Sequence, residues 1–151
     1  LLADGEDLLA GCGPGGAVHR VRPDGTSSRE VAVPGGYVWD LVRGHDGAVY
    51  AAGGSPAAVY RLRDGQAQLV AELPASNALD LAVATDGALL VAAQGPGRVF
   101  RVDPDGDSWD LLVAMEQDEV TWTFRIDPVV EHVPWRPVLR QETLFHLRIR
   151  A

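Results

Sequence analysis

The chain has no lysine. Its 13 arginines are set against 21 carboxylates, for a formal charge of −8. Without lysine there is no phosphate-binding loop of the G-x-x-x-x-G-K kind. The acidic balance, with no clustered basic residues, argues against a nucleic-acid surface. The single cysteine, Cys12, excludes a disulfide within the chain and a cysteine-based metal cluster. No run reaches the ~18 apolar residues that a membrane-spanning helix requires. No nucleophile motif such as G-x-S-x-G occurs. Glycine is absent from the last 45 residues, although 17 glycines fall at or before Gly106. Before that point proline and glycine recur so often that no helix longer than ~8 residues fits between them.

What is present is a repeat. One series of turn signals is Asp4-Gly5, Asp46-Gly47 and Asp86-Gly87, at intervals of 42 and 40 residues. A second is Asp24-Gly25, Asp64-Gly65 and Asp105-Gly106, at intervals of 40 and 41. Asp-Gly suits a two-residue hairpin turn because glycine accepts positive φ and aspartate tolerates it. A Gly/Pro loop keeps the same period: Gly11 to Gly16, then Gly53-Gly54-Ser55-Pro56, then Gly95-Pro96-Gly97. The segments between are short, rich in Val, Leu and Tyr, and of strand rather than helix length.

A period near 40 with four short strands per unit is the mark of a β-propeller blade. The expectation is an all-β chain of four-stranded antiparallel blades. Residues 1–35 form a partial blade, 36–75 and 76–115 full blades, 116–127 strand A of a further blade, and 128–151 an irregular tail or degenerate blade. In the second blade the strands are Tyr37–Arg43, Ala48–Ala52, Ala58–Arg63 and Ala67–Leu73. In the third they are Ala78–Ala84, Ala88–Ala93, Arg98–Asp103 and Ser108–Ala114. A closed propeller needs about 4–8 blades, so three and an incomplete fourth leave open sheet faces. The expectation is an open fragment of a larger propeller, its missing blades supplied by the rest of the chain or by self-association.

The pairs Asp46-Gly47 and Asp86-Gly87, the glycines Gly53-Gly54 and Gly95, and the segments Val59-Tyr60-Arg61-Leu62 and Val99-Phe100-Arg101-Val102 make a pattern. With Asp64-Gly65 and Asp105-Gly106 closing it, the pattern resembles the broad class of WD40-like, NHL-like and lactonase-like bacterial propellers. The resemblance covers residues 1–127. It is specific for fold and not for function, because such propellers host binding modules, scaffolds and some enzymes. Gly44-His45 and Trp39-Asp40 stand out of place for true WD40 marks. The kinds of protein resembled imply an extracytoplasmic setting, periplasmic or secreted.

The tail keeps register at first: Val120–Asp127 aligns with Leu79–Asp86. Pro128 then replaces the turn glycine and the pattern fails. Thr143–Arg150 alternates as a half-buried strand should. A degenerate blade, a different closing element and a shifted reading frame each account for this composition.

In propellers of the resembled class, strand A lines a central channel and ligands enter on the face of the D–A and B–C loops. That selects four residues. Asp40 and Asp80 hold the same strand A position in consecutive blades, where Thr121 follows, and two carboxylates around one channel suit a hard cation such as Ca²⁺. Asn77 would add an amide oxygen. Tyr37, just after Pro34-Gly35-Gly36, stands at the rim as an aromatic ligand contact. The competing reading of the two aspartates is as acceptors of backbone hydrogen bonds between blades. Trp39, Tyr50, Tyr60 and Phe100 read as packing between blades. His45 lies beside a turn on the far face and His19 on a strand C, so neither is placed as a base for a channel ligand. Arg20, Arg61 and Arg101 recur once per blade, each able to pair with a nearby carboxylate.

Two functions follow. The first is a non-enzymatic binding or interaction module without a cofactor, taking a protein or small molecule on its loop face. The second is a metal-dependent lactonase- or hydrolase-like enzyme with a channel cation held by Asp40, Asp80 and Asn77.

Overall fold

The computed structural model describes residues 1–95, 97–104, 109–118 and 121–124, and every regular element among them is a β-strand. The first sheet runs β1 (Leu2–Asp4), β2 (Asp7–Cys12), β3 (Ala17–Val21) and β4 (Ser27–Ala32), in sequence order. The second runs β5 (Val38–Arg43), β6 (Val49–Gly53), β7 (Ala58–Arg63) and β8 (Gln66–Glu72) in the same way. The third has β9 (Asn77–Val83), β10 (Leu89–Gln94), β11 (Arg98–Val102), β12 (Trp109–Asp118) and β13 (Thr121–Phe124). All pairings are antiparallel meanders. The third sheet differs in one way. Thr121–Phe124, expected to begin a further blade, pairs with β12 as a fifth strand. The expected strand Thr143–Arg150 lies outside the described residues.

Irregularities repeat along with the strands. Between the third and fourth strands of every sheet the register shifts at the same place: after Val18, after Val59 and after Val99. A second shift falls between the first two strands of the second and third sheets, at Val38/Asp40 and at Asp80/Ala78. Bulges of this kind leave one residue unpaired and increase the local twist.

The sheets stack face to face through side-chain alternation. Along β6, Tyr50 and Ala52 enter the core shared with the third sheet, while Ala51 enters the core shared with the first. Val59 and Tyr60 on β7 divide in the same sense. β6 is therefore buried on both sides from Tyr50 to Gly53, where it carries only apolar residues and glycine. Phe100, Leu89, Val91 and Val102 close the second core with no exposed surface. The inner strands pack side by side, β1 on β5 and β5 on β9, while β4 meets β8 at the outside. This is the arrangement of blades fanned about an axis.

The turns differ in ways the Asp-Gly signals did not reveal. Asp64 and Gly65 form a two-residue turn with φ of 51° and 74°. At the first sheet the turn centre is Gly5-Glu6, because Asp4 pairs with Asp7. Asp46 and Asp86 sit instead in five-residue turns, where each Oδ1 accepts the N–H two residues on, Ala48 and Ala88 at 3.1 Å. There the carboxylate caps the turn rather than occupying a hairpin centre.

Candidate functional site

The loop face is laced together by main-chain hydrogen bonds, two of which, Gly16 to Gly36 and Ser55 to Ser76, cross between blades. Gly16 N–H donates to Gly36 O at 2.9 Å, Gly54 N–H to Tyr37 O at 3.3 Å, Ser55 N–H to Ser76 O at 3.1 Å and Ser76 N–H to Gln94 O at 2.8 Å. Gly54 is the node of this lacing, since it also forms an isolated antiparallel bridge to Asn77. A Cβ on Gly54 would stand 2.8 Å from Asn77 Oδ1, 2.9 Å from Trp39 Nε1 and 3.5 Å from Tyr37 Cβ. One backbone position thus gathers Tyr37 from the second blade's entry, Trp39 from its inner strand and Asn77 from the third blade. Gly35, with φ of +89°, lies against the Gly54 carbonyl so closely that any side chain would collide with it.

Tyr37 and Trp39 stack with centroids 5.2 Å apart and planes 13° from parallel. The other neighbour of the Tyr37 ring is Gly13, where an added Cβ would overlap it. Tyr37 is 43% and Trp39 48% exposed. The expected packing between blades fails for Trp39 and holds for Tyr50, Tyr60 and Phe100, which are buried, while Tyr37 is exposed at the rim as expected. The cause is the bulge at Val38/Asp40. Val38 and Leu41, three residues apart, both point into the core shared with the first blade. Strict alternation would forbid that, and Trp39 and Asp40 are turned the other way. Ala78 and Leu81 repeat the spacing in the third blade, with Leu79 exposed. An apolar pair at i and i+3 inside a strand was the signal available in the sequence.

Asp40 and Asp80 come together at equivalent positions, opposite Ala52 and Ala92. Their carboxyl groups are neighbours, and Asp40 Oδ2 accepts the Leu81 N–H at 3.0 Å. Partial burial, then the neighbouring Asp40 charge, holds the Asp80 carboxyl above its ordinary titration range. Asn77 turns its Nδ2 to Gln94 Oε1 at 3.2 Å, which leaves Oδ1 directed at the Gly54 node. Among the described residues no group of three or more His, Cys, Asp or Glu side chains gathers as a metal-ligand set.

The opposite face has a different character. A hollow of about 370 Å³ lies between the second and third blades, bordered by His45, Asp46, Asp86, Arg101 and Asp103. The recurring arginines are bound there to the turn aspartates: Arg61 to Asp46 and Arg101 to Asp86, both at 2.6 Å. In the first blade Arg20 meets Asp4, Asp7 and Glu30 at 2.8 to 3.1 Å. These contacts tie each third strand to its own blade's turn. His19 sits on β3, away from the inner strands; His132 and His146 lie outside the described residues.

No family model and no curated protein sequence matches the chain. A solved structure it is similar to is the selenomethionine-substituted virginiamycin B lyase from Staphylococcus aureus, a β-propeller, with a TM-score of 0.60 and 19% identity. The match covers 70% of this chain and 36% of that one. The fold is that of β-propeller blades. At this identity the likeness carries the fold and not an activity.

Proposed function

We propose that the chain is a binding module of a propeller, without chemistry of its own, that receives a ligand at the loop-face mouth between the second and third blades. The observation that carries this reading is the stacked, half-exposed pair Tyr37–Trp39. Large aromatic faces are normally buried in the core, as Tyr50 and Phe100 are here, and exposed ones that gather with fixed polar groups mark contact surfaces. The polar groups are Asn77 Oδ1, the indole N–H of Trp39 and the Asp40–Asp80 pair. Cross-blade hydrogen bonds hold the platform in place before any ligand arrives, which lowers the ordering cost of binding.

The enzymatic alternative, a lactonase-like hydrolase with a channel cation, relies on Asp40, Asp80 and Asn77 as oxygen ligands. Asp40 Oδ2 already accepts the Leu81 N–H of the next blade, which supports the reading of these aspartates as hydrogen-bond acceptors between blades. The lyase activity in the similar structure's name is likewise not assigned to this chain, which spans about a third of that protein.

Amide shift mapping with a mixed small-molecule and peptide library tests the reading. It predicts perturbations concentrated at Tyr37, Trp39, Gly54 and Asn77. Perturbations confined to the far hollow at His45, Asp86 and Arg101 would refute it.

A further inference from the structure

We propose that the channel mouth takes a monocationic organic group, a quaternary ammonium or alkylated amine, seated on the indole of Trp39 with the Asp40–Asp80 pair as its counter-charge. This rests on the binding-module reading and specifies its ligand class.

Three observations point the same way. The first is the aromatic surface. With Tyr37 stacked against its ring, Trp39 is still 48% exposed as a residue. Tryptophan is the strongest of the aromatic rings in attracting a cation over its face.

The second is charge. Asp40 follows Trp39 directly in the β5 bulge, and Asp80 joins it from β9. Two carboxyl groups side by side make this part of the mouth acidic. The arginines closest in the fold are committed elsewhere. Arg43 reaches Asp4 and Gly47 O at the far end of β5, and Arg61 and Arg101 are bound to turn aspartates. Arg98 donates to Pro74 O at 2.8 Å. Nothing cationic among the described residues neutralises the carboxyl pair.

The third is the bias of the fixed polar atoms toward acceptors. Asn77 commits its amide N–H to Gln94 and presents Oδ1 near the indole. With the carboxylate oxygens, the mouth offers several acceptors and one indole donor. That set repels phosphate and other anions and suits a group whose positive charge is spread over C–H or N–H edges.

The test uses the whole chain and follows the Trp39 indole ¹⁵N–¹H resonance, assigned by its loss in Trp39→Phe. The probes are choline, its neutral carbon isostere 3,3-dimethylbutan-1-ol, and glucose. The expected result is a saturable shift with choline, about tenfold weaker binding of the isostere (~1.4 kcal/mol), and weaker choline binding in Asp80→Asn, whose spectrum stays dispersed. If the isostere or glucose shifts the indole resonance as strongly as choline, the cationic class is wrong while the mouth stands as a binding site. If none of the three moves that resonance and library ligands shift only residues of the far hollow, both readings fall.

Discussion

The carboxylate of Asp40 crosses from the second blade to the third and accepts the Leu81 backbone N–H at 3.0 Å. Because β9 is the inner edge of its sheet, that N–H has no ladder partner of its own. Leu81 is only 6% exposed. Asp40→Ala is therefore expected to strand a buried donor and to cost about 1–3 kcal/mol in chemical denaturation. Asp40→Asn, which keeps an acceptor, should recover most of that loss. Equal destabilisation by the two variants would show that the charge, not the hydrogen bond, matters.

Asp80 gives an opposite prediction. Its carboxyl titrates above the ordinary aspartate value of 3.8 because of burial and the adjacent Asp40. Between 3.8 and that raised value the folded chain holds a proton the unfolded chain has released. This group's contribution to stability is thus greatest below the window and declines as pH rises through it. Asp80→Asn should raise the melting temperature at pH 7 and lose that advantage near pH 3.5. The turn aspartates run the other way: Arg101 holds the Asp86 carboxyl below its ordinary range, so its contribution is present above 3.8 and is lost on acidification. Melting curves of Asp86→Asn across the same pH range check that sign.

Gly35 and Gly25 share a left-handed conformation, with φ of +89° and +83°, but not surroundings. Nothing lies near the position of a Gly25 side chain, while Gly35 faces the Gly54 carbonyl. Gly25→Ala should cost about 1 kcal/mol from backbone strain alone. Gly35→Ala must in addition push away the Gly54 carbonyl where the first blade joins the second, and a larger loss in urea melts, with altered tryptophan fluorescence, is expected. Equal costs for the two variants would mean that the Gly35–Gly54 contact yields freely.

The repeat was legible because its signals are local. Asp-Gly turns, Gly/Pro loops and short apolar segments each act within a few residues, and two series of turns shared one period. Strand C of the second blade, Ala58–Arg63, agrees to the residue. The exposure of Trp39 was hidden because a bulge reverses the side-chain alternation on which burial was judged. The lacing at Gly54 was hidden as well, since it joins segments about twenty residues apart through main-chain atoms that carry no sequence signature. The equivalent placement of Asp40 and Asp80 followed from register, but the bond from the Leu81 N–H to Asp40 depends on how closely the blades approach.

Calcium separates the binding module from the hydrolase alternative. A cation that takes about six to eight oxygens would need more than the two carboxyl groups gathered here. Thermal melts in millimolar calcium are expected to match those in chelator. A saturable rise in melting temperature that disappears in Asp80→Asn would establish the metal reading instead.

Successive cassettes face each other across clasped inner strands, and amide exchange at Leu81 measures that clasp directly. The Leu81 N–H should exchange far more slowly than that of Val83, the next amide directed the same way along β9, and should become fast in Asp40→Ala while the amides of β10 stay protected. Fast exchange at Leu81 in the unaltered chain would mean that the second and third blades do not meet as described, and the mouth between them would have no basis.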